Sequence, residues 1–153
     1  MKRVLFVCLG NICRSPLAEG ILKDHLSKNK NLSVDVDSCG TSRYHIGEEP
    51  DPRSAKSAQD NGIKISHKAR QLEPRDFKEF DYLLAMDESN LENMRKVDGF
   101  FENEKKVFLL RDFDPDFPGA DVPDPYFGGE RGFQEVFDIV QRSVINFYRA
   151  HLR

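Results

Sequence analysis

The stretch VLFVCLGNICRSP, from Val4 to Pro16, decides how the rest of this chain is read. Val4-Leu5-Phe6-Val7 is short, β-branched and aromatic, the composition of a strand buried on both faces of a parallel sheet. The run stops at Cys8, and Leu9-Gly10-Asn11-Ile12-Cys13-Arg14 follows. Gly10 and Asn11 are the residues here that best tolerate left-handed backbone. Ser15 can cap a helix and Pro16 suits its first position. Strand, tight loop and helix start together make an anion cradle, because loop amides can turn inward and the helix N-terminus adds partial positive charge. A Cys8 thiol facing that cradle favours its thiolate form. Arg14, six residues later, can hold two oxygens of a tetrahedral oxyanion in a fork. A nucleophile opposite a phosphate-shaped cradle implies phosphoryl transfer to cysteine. Cysteine at a strand end is otherwise most often a small buried hydrophobe. The strand before it, the Gly-Asn pair and the Ser-Pro helix start favour chemistry. A nucleotide P-loop is excluded, since the stretch lacks a Gly-Lys-Ser/Thr ending.

The whole chain bounds this reading. Its 153 residues are the length of one domain, residues 1–153, and 39% hydrophobic with 32% charged residues is a globular composition. A net charge of −3 points to neither nucleic acid nor an anionic membrane as partner. The apolar run after Lys2-Arg3 is too short for a signal peptide, and no segment approaches membrane-spanning length. Three cysteines make no disulfide framework and suit a reducing cytoplasm. Cys8 and Cys13 do not form C-x-x-C and the four histidines are scattered, so no zinc site or other metal is expected.

Further along, residues 16–28 read as a helix, with Leu17, Ile21, Leu22, His25 and Leu26 on one face. Residues 33–38 alternate as a half-buried or edge strand does. Strand, helix, strand is a right-handed βαβ unit with the Cys8 loop at the carboxyl end of its first strand, where open α/β sheets bind ligands. Cys39 to Pro50 is a loop carrying Tyr44 and His45. Asp51-Pro52 opens a second helix ending near Gly62, with Asp51 as its cap. His67 reads either as a structural hydrogen-bonding residue or as a base. A short helix over 77–80 and a strand from Tyr82 to Met86 precede Asp87. A helix over 89–96, a fourth strand over 106–110 and a last helix over 132–152 complete the pattern. Phe133, Val136, Phe137, Val140, Val144 and Phe147 form the last helix's core stripe.

DFDPDFPGADVPDPY, from Asp112 to Tyr126, is a loop by its Asp and Pro content. Asp112, Asp114 and Asp116 imitate the opening of a calcium loop, but Phe117 and Pro123 stand where that loop needs Gly and Glu. Phosphoryl transfer needs an acid for the leaving oxygen. Asp124, held between two prolines and followed by Tyr126 and Phe127, is the best-held candidate, with Asp121 the alternative that spacing leaves open.

VCLGNICRSP at 7–16, DSCGTSRYHIG at 37–47, SHKARQL at 66–72, AMDESNL at 85–91 and DPYF at 124–127 together resemble the low-molecular-weight protein tyrosine phosphatases. The resemblance runs along nearly the whole chain. It implies a three-layer α/β sandwich with a four-stranded parallel sheet, order 2-1-3-4, and helices on both faces. It implies Cys8 as nucleophile, Arg14 as phosphate clamp and Asp124 as general acid. Backbone amides from Leu9 through Gly10, Asn11, Ile12 and Cys13 to Arg14 would hold the phosphate oxygens. Tyr44, Tyr126 and Phe127 would wall the entrance. Asn11, Ser15, Ser38 and His67 match the set that holds the loop in shape, with Ser15 also donating to the Cys8 sulfur, and Asp87 matches a supporting acidic position. Cys39 stands where Ala, Thr or Gly is commoner and reads as packing. Phe127 replaces a frequent second tyrosine, leaving Tyr126 as the only one of the pair that could itself be phosphorylated.

The expected activity is hydrolysis of protein phosphotyrosine through phosphocysteine, without metal or cofactor, on tyrosine-phosphorylated protein substrates. Three alternatives share the first loop. A protein-arginine phosphatase tends to carry Thr where this chain has Ile12. An arsenate reductase needs a further cysteine pair, and no cysteine follows Cys39. A non-catalytic phosphotyrosine-binding module would need neither the thiol nor Asp124. With the resemblance in hand, Cys13 is expected to act as a resolving thiol that captures oxidised Cys8 as a disulfide, if the loop brings the two within range.

Overall fold

The structure, a computed structural model, describes residues 1–31, 33–127 and 130–153, and the side chains of 127, 130 and 131 are outside the described set. Strand β1 (Lys2–Cys8) lies between β2 (Val34–Gly40) and β3 (Tyr82–Ala85), and β4 (Val107–Leu109) pairs with β3. All pairings are parallel and the order is β2-β1-β3-β4, as the family resemblance implied. Val4 sits opposite Val36 on one side and Tyr82 on the other.

Side chains alternate across a strand, so β1 feeds two separate cores. Val4, Phe6 and Cys8 join one cluster with Leu17, Ile21 and Leu22 of α1 (Arg14–Lys28) and with Phe137, Val140 and Val144 of α5 (Glu130–His151). Leu5, Val7 and Cys39 join the other, with Phe77 of α3 (Asp76–Glu79), Met94 of α4 (Glu88–Arg95) and Phe100. Val4 through Val7 are wholly buried, which is why the run reads as apolar without alternation. Helix α2 (Pro52–Asp60) completes the layer beside α1 and α5 and is capped by Asp51, whose carboxylate accepts from the Arg53 amide.

Three boundaries differ from the sequence reading. Helix α1 starts at Arg14, with Cys13 in the cap position and no side-chain cap bond. Ser15 is therefore not the cap; its hydroxyl is drawn to the Cys8 sulfur instead. Strand β4 is three residues rather than five, flanked by 3-10 turns at Phe101–Lys106 and Leu110–Phe113. The Leu109 amide donates to the Asp112 carboxylate (3.1 Å) as the chain leaves the strand. Helix α5 begins at Glu130, two residues early, and the other ends differ by a residue or two.

Candidate active site

The loop from Cys8 to Arg14 closes because Asn11 takes a left-handed conformation, φ 58°. That conformation directs the Asn11 amide at Cys8 Sγ, 3.2 Å away. The Asn11 side chain is then fully spent. Its Nδ2 donates to Ser15 Oγ (2.8 Å) and Ser38 Oγ (3.0 Å). Its Oδ1 accepts from the Arg70 amide (2.9 Å) and from His67 Nε2 (2.8 Å). Both serine oxygens receive protons from Asn11, so their own protons point onward. Ser38 donates to Glu19 Oε1 at 2.7 Å, and Ser15 Oγ lies 2.9 Å from Cys8 Sγ. His67 turns Nδ1 to Glu19 Oε1 at 3.1 Å. This places His67 behind the loop, in a structural position.

Glu19, the hub of this network, escaped the sequence reading. It stands four residues after Ser15 on the same helical face, which is the signal that could have found it. Burial works against its carboxylate, and hydrogen bonds from His67, Lys23 and Ser38 outweigh that, holding its pKa below the ordinary value. Glu19, Asp37 and His67 have ligand-type atoms within 4.8 Å of one another. Those atoms are already engaged: Glu19 with Lys23 and Ser38, Asp37 with Arg70 and the Ser38 amide. The cluster is a hydrogen-bonded brace.

Arg14 lies buried at the start of α1. Its Nη1 donates to Asp87 Oδ2 (2.6 Å) and to the Val122 carbonyl (3.0 Å), and its Nη2 is 3.6 Å from Asp124 Oδ2. Burial disfavours its charge, but Cys8, Asp87 and Asp124 more than compensate and raise its pKa. Asp124 is the more exposed partner; its Oδ1 accepts the Tyr126 amide at 3.0 Å. Asp121 instead accepts the Glu88 amide at 2.9 Å. The fold thus brings Asp124, and not Asp121, to the cavity.

That cavity holds about 240 Å³. Cys8, Cys13 and Arg14 lie in its buried part, with Leu9, Gly10 and Ile12 beside them. Tyr44, Asp124 and Tyr126 stand at its exposed rim. Ser42 and His45 also line it, and the sequence reading gave neither a role in the site. His45 packs so closely on the loop that a Cβ at Gly10 would come within 2.9 Å of its ring, and its Nδ1 is 2.8 Å from Glu48. The Phe127 side chain, expected in the wall, is outside the described residues. Cys13 packs with Ile12, Ala69 and Phe133, and burial, then the charge of Asp51, pushes its thiol up. Cys39 is fully buried packing, as read.

Fold and site together define an α/β protein with a cysteine and an arginine at a strand–loop–helix anion cradle. A family profile described as low molecular weight phosphotyrosine protein phosphatase matches residues 3–153. The low molecular weight phosphotyrosine protein phosphatase of Homo sapiens is 45% identical, over 98% of this chain and 96% of its own. A crystal structure of a protein tyrosine phosphatase from Entamoeba histolytica with Hepes in the active site superposes with TM-score 0.91 at 36% identity, covering 97% and 96% of the two chains. The structure of a Drosophila arginine phosphatase superposes with TM-score 0.86 at 33% identity, covering 100% and 99%. The chain belongs to the low molecular weight phosphotyrosine protein phosphatase family, whose members are cysteine-based hydrolases.

Proposed function

We propose that this protein removes phosphate from tyrosine side chains of phosphoproteins in two steps. In the first, the Cys8 thiolate attacks phosphorus in line; the S–P bond forms, the P–O bond to the phenol breaks, and Asp124 gives its proton to the leaving oxygen. Arg14 and the amides of Leu9 to Arg14 hold the equatorial oxygens through the transition state. In the second, the Asp124 carboxylate takes a proton from water as that water attacks phosphocysteine, and the S–P bond breaks. Ser15, 2.9 Å from the sulfur, helps the thiolate leave. The scheme calls for no metal or cofactor.

The observation that carries this reading is the convergence of Cys8, Arg14 and Asp124 on one cavity whose rim carries Tyr44 and Tyr126. A phenyl phosphate is long enough to reach a sulfur at the bottom of such a cavity, and phosphoserine is shorter. Ile12 at the cavity wall favours phosphotyrosine over phosphoarginine. Among the described residues no helix is long and apolar enough to cross a membrane. A catalytic thiol must stay reduced, which supports a cytoplasmic setting.

The test measures kcat/KM on peptides carrying phosphotyrosine, phosphoserine or phosphoarginine, with chelator present. Phosphotyrosine should be hydrolysed far faster than the others. Cys8→Ser should abolish turnover yet still bind vanadate-like oxyanions, whereas Arg14→Ala should lose both binding and rate. Turnover by Cys8→Ser would refute the covalent scheme, and a preference for phosphoarginine would refute the substrate class.

A further inference from the structure

Asp114, in the acidic loop, is buried away from the cavity and holds two guanidinium groups. Its carboxylate accepts from Arg111 Nε (2.9 Å), from Arg142 Nε and Nη2 (2.8 and 3.0 Å), and from the Asp116 amide (2.9 Å). Phe117 lies against the Arg111 guanidinium, 5.4 Å from centroid to Cζ. A buried ion cluster of this kind is weak evidence of stabilisation, since apolar residues of equal volume often do as well. What it does supply here is a fixed direction for Arg111.

Arg111 uses that direction on the backbone that leads to Asp124. Its Nη1 donates to the Asp121 carbonyl at 2.8 Å, and its own carbonyl accepts the Gly119 amide at 2.8 Å. The next residue is held from other sides: the Val122 amide donates to the Met86 carbonyl (2.8 Å), and the Val122 carbonyl accepts from Arg14 (3.0 Å). Beyond it the chain reads Val122-Pro123-Asp124-Pro125. Each proline fixes its own φ and restricts the residue before it. Little freedom therefore remains between the anchored peptide and the Asp124 carboxylate.

We propose that Arg111, held in direction by Asp114, is a positioning residue that sets the Asp124 carboxylate against the leaving oxygen. The inference rests on the reading of Asp124 as general acid. The rigid fork of an arginine spans both the Asp114 carboxylate and the Asp121 carbonyl, and a single ammonium does not.

The experiment compares kcat/KM across aryl phosphates, from phenyl phosphate, whose leaving oxygen needs a proton, to 2,4-dinitrophenyl phosphate, whose leaving oxygen does not. Arg111→Met should lose about tenfold or more on phenyl phosphate and little on the dinitrophenyl ester, as a misplaced acid would. In an Asp124→Asn background the same change should cost nothing further, because it acts through Asp124. Arg111→Lys keeps a charge beside Asp114, guards against a folding failure, and should show the same pattern. Arg142→Gln should lower the melting temperature without steepening the leaving-group dependence. A loss equal on all esters, or one that persists without Asp124, or a dependence that tracks melting temperature in both arginine variants, would overturn the positioning role. If Asp124→Asn itself leaves the dependence unchanged, the general-acid reading falls, and the inference with it.

Discussion

Asp87 holds Arg14 with one carboxylate oxygen and starts helix α4 with the other. Oδ2 accepts from Arg14 Nη1 at 2.6 Å, and Oδ1 accepts from the Asn90 amide at 2.7 Å. The Asn90 side chain returns the bond to the Asp87 amide, completing a capping box. One residue just beyond β3 thereby ties Arg14 to a helix terminus.

Substitution separates the two tasks. Asp87→Asn keeps an oxygen for the Asn90 amide and removes the charge that faces Arg14. It should lower kcat/KM by roughly tenfold, as loss of a charge-assisted contact does, with a small change in stability. Asp87→Ala should show the same catalytic loss and a further stability loss of about 1 kcal/mol from the missing cap. Steady-state kinetics and urea unfolding read the two effects, and equal stability of the two variants would contradict the division.

Gly40 ends β2 directly beneath the loop. A Cβ there would lie 2.6 Å from the Leu9 carbonyl oxygen and 3.1 Å from the Asn11 nitrogen, both backbone atoms that cannot swing away. Gly40→Ala should therefore distort the cradle, costing about 1–3 kcal/mol in stability, as overpacking does. The kcat/KM should fall with it. Thermal unfolding and kinetics on one preparation test this; a variant with wild-type values for both would show that the loop can yield.

The buried Asp114 sets part of the acid sensitivity. Its carboxyl is held far below the usual range, first by Arg142, with the Asp116 amide and Arg111 adding to it against burial. A depressed folded pKa means that its contribution is complete above the unfolded value near ~4 and is lost as pH falls through the folded value. Glu19 and Asp51, also lowered, act in the same direction. Stability should be steady from neutral pH to about 5 and decline below about 4. Asp114→Asn should lower stability at pH 7 by roughly 3–5 kcal/mol, as breaking a buried pair does, and flatten the acid decline. Urea unfolding at pH 7, 4 and 3 measures both.

The Cys13 thiol is buried and pushed up, so brief iodoacetamide treatment of the native protein should leave it unmodified. After peroxide, wild type should recover activity with dithiothreitol and show a Cys8–Cys13 disulfide by mass spectrometry, while Cys13→Ser should recover poorly. Equal recovery of the two proteins, with no disulfide, would leave Cys13 as packing.

The local pattern of Val4 to Pro16 was enough to predict a strand, a cradle with a thiol and a helix, because each depends on neighbours within a few residues. Periodicity likewise located every strand and α-helix to within about a turn. It misjudged the 3-10 turns around β4, where the Asp112 side chain accepts the Leu109 amide as the chain turns. Ser15 was misread for a similar reason: as a cap it is a sound local choice, but Cys8 and Asn11 are brought to its hydroxyl only when the loop closes.

Spacing along the chain did not separate Asp121 from Asp124, although the flanking prolines and the family resemblance both favoured Asp124. Both sit in one acidic loop, and their spacing differs by three residues. The tertiary structure separates them because α4 presents the Glu88 amide to Asp121, while the Val122 backbone, pinned to Met86 and Arg14, carries Asp124 to the cavity. Glu19, His45, Arg70 and Arg111 were hidden on the same ground. Their partners lie on other elements, and no pattern along the chain records which helix faces which loop.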